Sequence, residues 1–134
     1  MYKDVRKILR SFAYAFKGLR HAYVSDRSFR LEVNYGLPAY LLLGWWLAPF
    51  TSLEFLFFTF SYLLILLVEL INTAFEKMLD KLHPEQHDVI GRSKDIASAA
   101  VMVAFVFAAL VIIVLAVSRM TIDAPGVLIE HSFV

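Results

Sequence analysis

The chain has 134 residues, of which 60% are hydrophobic, and its 13 basic and 12 acidic side chains leave a net charge of +1. This hydrophobic fraction exceeds that of ordinary soluble domains, so we expect a membrane protein with one domain, residues 1–118, followed by a disordered tail, residues 119–134. The absence of cysteine excludes disulfides, thiol catalysis and zinc–thiolate centres. We also expect no nucleic-acid partner.

The N-terminal segment, residues 1–27, has the pattern of an amphipathic helix. Its apolar side chains recur every three or four residues, while lysines and arginines lie largely on the other side. The apolar positions are Ile8, Phe12, Phe16, Leu19 and Tyr23. We therefore predict a surface helix that lies in the membrane interface.

Three later segments, at about residues 30–49, 54–79 and 95–118, are predicted to cross the membrane as helices. Each is close to the roughly 20 residues that ~30 Å of hydrocarbon requires. Pro38 lies in the first turns of the first span and is expected to bend it. Trp45 and Trp46 follow near its other end, where indole side chains favour the interface.

The distribution of basic residues predicts the orientation of these spans. Eight lysines and arginines lie at residues 3–30, before or at the start of the first span, four lie at residues 77–94, around the link between the second and third spans, and the link between the first two has none. Because basic residues are enriched on the cytoplasmic side, we predict a cytoplasmic N-terminus and an external C-terminus.

The stretch "VELINTAFEKMLD", residues 68–80, places polar side chains inside the second span. On a helix Glu69, Asn72, Glu76 and Asp80 form one stripe. Ionisable groups within a span cost several kcal/mol, about 3 at a helix centre, and are candidates for function. The alternative is structural: Glu69 and Asn72 can join helices by hydrogen bonds, and Glu76 can pair along its own helix.

The third span begins with "GRSKDIASAA", which brings Lys94, Asp95 and Ser98 to the same end of the bundle as the stripe. Carboxylates beside a lysine suit Mg²⁺ and nucleotide phosphates. His83 and His87 in "HPEQHD" indicate a zinc site only weakly and fit solvated loop residues better. The sequence contains no GxxxxGK[ST], which excludes a P-loop as the phosphate-binding element.

Three elements together, "AFKGLRHAYVSDRSFRLE", "VELINTAFE" and "GRSKDIASAAV", resemble the small integral-membrane lipid kinases of bacteria, the prokaryotic diacylglycerol kinases and undecaprenol kinases. The resemblance covers roughly residues 7–118. It implies an all-α homotrimeric bundle, each chain with a surface helix and three transmembrane helices and with active sites between subunits. It also implies transfer of the γ-phosphoryl group of ATP, with Mg²⁺, to a lipid hydroxyl in the bacterial cytoplasmic membrane, with the active site on the cytoplasmic side.

The same resemblance implies a role for individual residues. Glu69 is the general base on the lipid hydroxyl, and Asn72 supports it. The catalytic residues implied are Glu69, Asn72, Lys94 and Asp95. The nucleotide-binding residues implied are Lys7, Tyr14, Lys17, Asp26, Glu76, Glu85, Gln86, His87, Lys94 and Asp95. The metal ligands implied are Asp26 and Glu76, and the lipid-contacting residues are Glu69, Ser98, Arg30 and Glu32. Asp26 departs from the family pattern, which usually has glutamate there.

The predicted function is phosphorylation of 1,2-diacylglycerol to phosphatidic acid by ATP. "GRSKD" and "FRLE" favour diacylglycerol kinases, whereas "SDRSF" is nearer to undecaprenol kinases, so undecaprenol is the alternative acceptor. A rival of another class is a non-enzymatic membrane assembly or a small transporter. Against it, the third span has no ionisable group between Asp95 and Arg119 that would continue a path across the membrane.

Overall fold

The protein, described as a computed structural model over residues 2–85 and 87–122, is built of helices. The helices are α1 Tyr2–Ser25, α2 Arg27–Leu31, a π-helical turn Glu32–Gly36, α3 Leu37–Leu47, α4 Ser52–Leu82 and α5 Asp88–Ile122. No strand occurs in these ranges, so the all-α prediction is confirmed. Gln86 and residues 123–134 lie outside the described residues, and with them most of the predicted disordered tail.

The helix α1 corresponds to the predicted surface helix and keeps its amphipathic pattern. Its large apolar side chains, including Phe12 and Phe16, are exposed. This is expected for an amphipathic helix whose apolar face does not pack against the rest of its own chain. The helix ends at Ser25 because Asp26 adopts an extended backbone and begins the next helix. The side chain of Asp26 accepts a hydrogen bond from the backbone N–H of Phe29, which is the geometry of an N-cap.

Residues 27–47 form one helical stretch that changes its hydrogen-bond spacing in the middle. The N–H of Leu37 donates to the carbonyl of Glu32, five residues earlier, and thereby closes a wide π turn. Pro38 follows directly, and because it has no N–H and its ring crowds the carbonyl four residues before it, a regular helix cannot continue through this point. The structure thus has a π turn directly before Pro38, where the sequence predicted a bend.

The helices α4 and α5 pack along each other and form most of the interior. A capping box between Thr51 and Glu54 starts α4, since each side chain bonds to the backbone N–H of the other residue. Two apolar clusters fill the interior, the first between α4 and α5 and the second where α3 also meets them. One consists of Ile65, Ala104 and Ala108, and the other of Leu47, Phe58 and Leu115. The small alanines let the two helices approach closely.

Two helical segments, Ser52–Leu82 and Asp88–Thr121, are long and apolar enough to cross a membrane. They correspond to the predicted spans 54–79 and 95–118 but continue further at both ends. The predicted first span, 30–49, falls on the continuous helical stretch of residues 27–47, which the π turn divides into segments of 5, 5 and 11 residues. The count of three spans therefore stays a prediction.

Arg119, near the end of α5, joins the ends of three helices. Its guanidinium donates to the carbonyl of Leu47 (2.9 Å), to the carbonyl of Pro49 (2.9 Å) and to the carboxylate of Glu54 (3.0 Å). It also lies over the ring of Phe50, 6.0 Å from the ring centre. We call this group the Arg119 clamp. It fixes the end of the bundle opposite the polar stripe.

Candidate active site

Glu69 is the deepest acid of the polar stripe on α4. Only 6% of its surface is exposed, and the carboxylates of Asp26, Glu32 and Glu76 are close enough to repel its charge. These four acids come from three elements: the start of α2, the π turn and α4. A carboxylate buried beside like charges is costly, and such groupings occur where proton transfer or metal binding is needed.

The backbone places Asp26 and Glu32 against α4. Asp26 is held by its capping bond to Phe29, at 2.8 Å. The hydroxyl of Tyr62 on α4 donates to the backbone carbonyl of Glu32, at 2.8 Å, and so fixes the π turn to α4. A Cβ atom on Gly36 would come within 2.5 Å of the Glu32 carboxylate, so the carboxylate of Glu32 lies directly against the backbone of Gly36.

Asn72 and Thr73 leave polar atoms of this region unpaired. The amide nitrogen of Asn72 donates to Glu76 at 3.1 Å, whereas its carbonyl oxygen is buried and has no hydrogen-bond partner among the described residues. The hydroxyl of Thr73, a residue that is 4% exposed, also lacks a partner there. An unpaired buried polar atom costs about 1–3 kcal/mol, which is acceptable where a substrate or ligand completes the bond.

Lys94, at the start of α5, forms an ion pair with Asp80, the last acid of the stripe. A polar cavity of about 590 Å³ opens beside this pair at the turn between α4 and α5. Its lining includes Glu85, His87 and Asp95. The structure thus brings four of the predicted nucleotide-binding residues to one cavity, and Gln86 lies outside the described residues.

The predicted metal ligands, Asp26 and Glu76, offer oxygen atoms of the kind that Mg²⁺ prefers. Each uses one carboxylate oxygen internally, for the cap and for Asn72, and keeps the other available. Among the described residues no three Asp, Glu or His side chains gather closely enough to hold a metal ion. Mg²⁺ in kinase sites is commonly bound by one or two carboxylates together with substrate phosphates and water, so the donor atoms suit this ion, and joint ligation by Asp26 and Glu76 stays a prediction.

Two of the predicted lipid-contacting residues differ in their contacts: Arg30 forms hydrogen bonds within the chain, whereas Ser98 is exposed. The guanidinium of Arg30 donates to the carbonyls of Tyr23 (3.2 Å) and Val24 (3.0 Å) at the end of α1. Ser98 is exposed on α5. Arg30 therefore fixes the angle between α1 and α2.

The predicted nucleotide-binding residues of α1 lie apart from the polar cavity. Lys7 and Tyr14 are exposed on α1. Lys17 lies over the ring of Tyr14, 5.6 Å from its centre, and lines a different cavity between α1 and α4. Within one chain, the structure does not bring these three residues to Lys94.

Sequence reasoning missed two contacts of the site. It did not pair Asp80 with Lys94, because the two are 14 positions apart across a turn. It also did not identify Asp26 as a helix cap, although Asp followed by a helix start is a recognised signal. Thr73, between two predicted residues, carried no sequence signal beyond its position in the span.

Comparison with known proteins gives consistent matches over most of the chain. Residues 13–116 match the family described as prokaryotic diacylglycerol kinase. The diacylglycerol kinase of Escherichia coli K12 is 32% identical over 102 residues, covering 76% of this chain and 82% of that protein. That of Haemophilus influenzae is 32% identical over 109 residues, covering 78% and 88%. That of Helicobacter pylori 26695 is 30% identical over 105 residues, covering 78% and 80%.

Proposed function

Since this chain belongs to the prokaryotic diacylglycerol kinase family of lipid kinases, we propose that it transfers the γ-phosphoryl group of ATP to the hydroxyl of 1,2-diacylglycerol and makes phosphatidic acid. The observation that carries the proposal is the burial of Glu69 beside Asp26, Glu32 and Glu76, on a helix apolar enough to cross a membrane. A lipid hydroxyl reaches such a depth, whereas a water-soluble acceptor does not.

Glu69 acts as the general base in this proposal. Its carboxylate accepts the proton of the lipid hydroxyl as the oxygen attacks the γ-phosphorus, and the bond to the departing ADP oxygen breaks. Asn72 supports this role, because its unpaired carbonyl oxygen can accept a hydrogen bond from the substrate.

The nucleotide is proposed to bind along the rest of the stripe, towards the turn between α4 and α5. Mg²⁺, when bound, neutralises phosphate charge and orients the γ-phosphoryl group. Glu76 and Asp26 would hold the ion through their free oxygens, and Lys94 with Asp95 would hold the phosphate side. The remaining nucleotide contacts are Glu85, Gln86 and His87 at the turn, and Lys7, Tyr14 and Lys17 from α1.

We also propose that the working form is a homotrimer with its sites between subunits. Asp95 and Ser98 are exposed on α5, and the α1 residues lie away from Lys94 in one chain, so a neighbouring chain is needed to complete a site. Ser98, Arg30 and Glu32 are the proposed contacts to the lipid.

The proposed setting is the bacterial cytoplasmic membrane, with three spans, a cytoplasmic N-terminus and active site, and an external C-terminus. The support is the excess of basic residues before the first span and between the last two. The Arg119 clamp would then lie at the external side.

Undecaprenol is the second candidate acceptor, which the "SDRSF" element favours. Both acceptors offer a hydroxyl at the membrane interface, so Glu69 would serve either. The test is transfer of labelled phosphate from ATP to 1,2-dioleoylglycerol and to undecaprenol in mixed micelles, at equal mole fraction. We expect labelled phosphatidic acid to form faster; faster labelling of undecaprenol would reverse the assignment, and labelling of neither would refute the lipid kinase proposal.

A further inference from the structure

Tyr62 lies on the face of α4 that carries the acids of the stripe. Tyr62, Glu69 and Glu76 follow one another at intervals of seven residues. Because seven residues are close to two helical turns, the three side chains share one side of the helix. Tyr62 is 7% exposed, nearly the same as the 6% of Glu69. The buried face of α4 therefore continues from the acids to a phenol hydroxyl that has no part in the proposed reaction.

The hydroxyl of Tyr62 reaches across to the π turn. It donates to the backbone carbonyl of Glu32 at 2.8 Å, and the same carbonyl accepts the N–H of Leu37. A carbonyl oxygen has two lone pairs, so both acceptor positions of Glu32 are used. The side chain of Asn34, also in the turn, bonds instead to Tyr23 of α1. Within the described part of the chain, Tyr62 thus makes the one side-chain hydrogen bond between the π turn and α4.

The π turn is a conformation that needs support from outside its own backbone. Pro38 has no N–H, so the carbonyl of Asn34 cannot receive the bond of a regular α-helix. Such turns are rare and are frequent at functional sites. The Tyr62 hydroxyl supplies support from α4, and the ring of Tyr40 packs against that of Tyr62, with centroids 4.9 Å apart.

The supported turn carries the Glu32 carboxylate. This carboxylate lies against the backbone of Gly36, and the ring of Tyr62 borders the same glycine, 3.7 Å from where a Cβ atom would lie. The carboxylate is also close enough to Glu69 to act on its charge. A shift of the π turn would therefore move the Glu32 carboxylate relative to Glu69.

We propose that Tyr62 is a positioning residue for the acceptor lipid: its hydrogen bond to the π turn holds the Glu32 carboxylate where the lipid meets Glu69. The inference rests on the proposed function, in which Glu32 contacts the lipid and Glu69 accepts the proton of its hydroxyl. Tyr62 acts through Glu32 and takes no part in the proton transfer. Loss of its hydroxyl weakens binding of the acceptor, while the nucleotide contacts near Lys94, at the other end of the stripe, are kept.

Tyr62→Phe tests this, because it removes the hydroxyl and keeps the ring. Initial rates are measured in mixed micelles with the faster acceptor of the kinase assay, expected to be 1,2-dioleoylglycerol, and with ATP varied separately. The KM for the acceptor should rise about fivefold, the effect of one lost hydrogen bond, whereas kcat and the KM for ATP should change by less than about twofold. An unchanged acceptor KM, or an equal rise in both KM values, would overturn the proposal.

Tyr40→Phe is the matched control. It also removes one phenol hydroxyl, which bonds to the Ser61 hydroxyl at 2.6 Å, but it leaves the bond between Tyr62 and Glu32 in place. The acceptor KM of this variant should stay within about twofold of normal. An equal rise in Tyr40→Phe and Tyr62→Phe would mean a general loosening of the bundle and would refute the positioning role.

Glu32→Gln decides whether Tyr62 acts through Glu32. This change should itself raise the acceptor KM, and adding Tyr62→Phe to it should raise the KM by less than about twofold more, because the carboxylate to be positioned is already lost. A further rise of about fivefold would show that the two residues act independently and would refute the proposal. Phosphorylation of neither lipid by the unmodified protein refutes the proposed function, whereas an active protein with a normal Tyr62→Phe variant refutes only the positioning role.

Discussion

The two ends of α4 satisfy their charged groups in opposite ways. At the Arg119 clamp, one guanidinium donates to two carbonyls and to Glu54, so its charge is paired with a carboxylate and it makes three hydrogen bonds. At the other end, Glu69 is surrounded by acids, and polar atoms of Asn72 and Thr73 have no partner among the described residues. The clamp is arranged for stability, whereas the Glu69 end tolerates strain that a bound substrate, metal or lipid would relieve.

The largest effect that would separate the two ends is expected at Glu69. Glu69→Gln keeps size and hydrogen bonding but cannot take up the proton, so kcat should fall by about 10² or more. ATP affinity and oligomeric state should be nearly unchanged. Measuring kcat, nucleotide binding and oligomeric state on one preparation checks this. If Glu69 only joins helices, the variant will keep more than about a tenth of the normal kcat.

Glu76→Gln should test the Glu69 end of α4 through the dependence of activity on Mg²⁺. The change removes the charge proposed to hold Mg²⁺, so activity should fall at least about tenfold at low Mg²⁺ and recover partly when Mg²⁺ is raised. A Mg²⁺ titration of the initial rate measures this. Glu54→Gln, which removes a carboxylate at the other end of the same helix, is the control and should keep the normal Mg²⁺ dependence. Near-normal turnover of Glu76→Gln at low Mg²⁺ would remove it from the metal site.

At the Arg119 clamp we expect a substitution to lower stability and not activity. Arg119→Gln leaves Glu54 and the carbonyls of Leu47 and Pro49 without their donor, so the midpoint of thermal unfolding should fall by at least about 5 °C. Arg10→Gln, which removes an exposed arginine from α1, should shift it by less than about 2 °C. Equal midpoints for the two variants would show that the clamp contributes nothing measurable.

The smallest effect is expected at Asp80, which holds Lys94 beside the polar cavity. Asp80→Asn frees Lys94 and removes a negative charge near the proposed phosphate site, so the KM for ATP should fall by up to about fivefold with kcat unchanged. Asp88→Asn, which lines the same cavity without that ion pair, is the control. A raised KM in Asp80→Asn would mean that Asp80 positions Lys94 for the nucleotide.

The fold was largely predictable because helical periodicity and apolar length are local properties of the sequence. The predicted spans 54–79 and 95–118 lie within α4 and α5, which continue beyond them into polar sequence, α5 by seven residues at its start. Helix ends depend on capping contacts, such as Thr51 with Glu54, which apolar length alone does not reveal. The π turn before Pro38 was predicted only as a bend.

The polar stripe on α4 was predictable from the sequence, whereas its contacts with other elements were not. The stripe on α4 follows from helix geometry, since Glu69 and Glu76 must share a face. The approach of Asp26 and Glu32 to Glu69 depends on how α2 and the π turn pack against α4, which no local pattern encodes. The same is true of Arg119 and Glu54, which are 65 positions apart.

The most direct test of the contrast between the ends is to measure kcat and the unfolding midpoint together for Glu69→Gln and Arg119→Gln. Glu69→Gln should lose at least about 10² in kcat while its midpoint equals or exceeds that of the unmodified protein, because a buried charge among like charges is removed. Arg119→Gln should unfold at lower temperature yet keep kcat within about threefold below that temperature. Loss of stability in Glu69→Gln with kcat preserved would contradict the account.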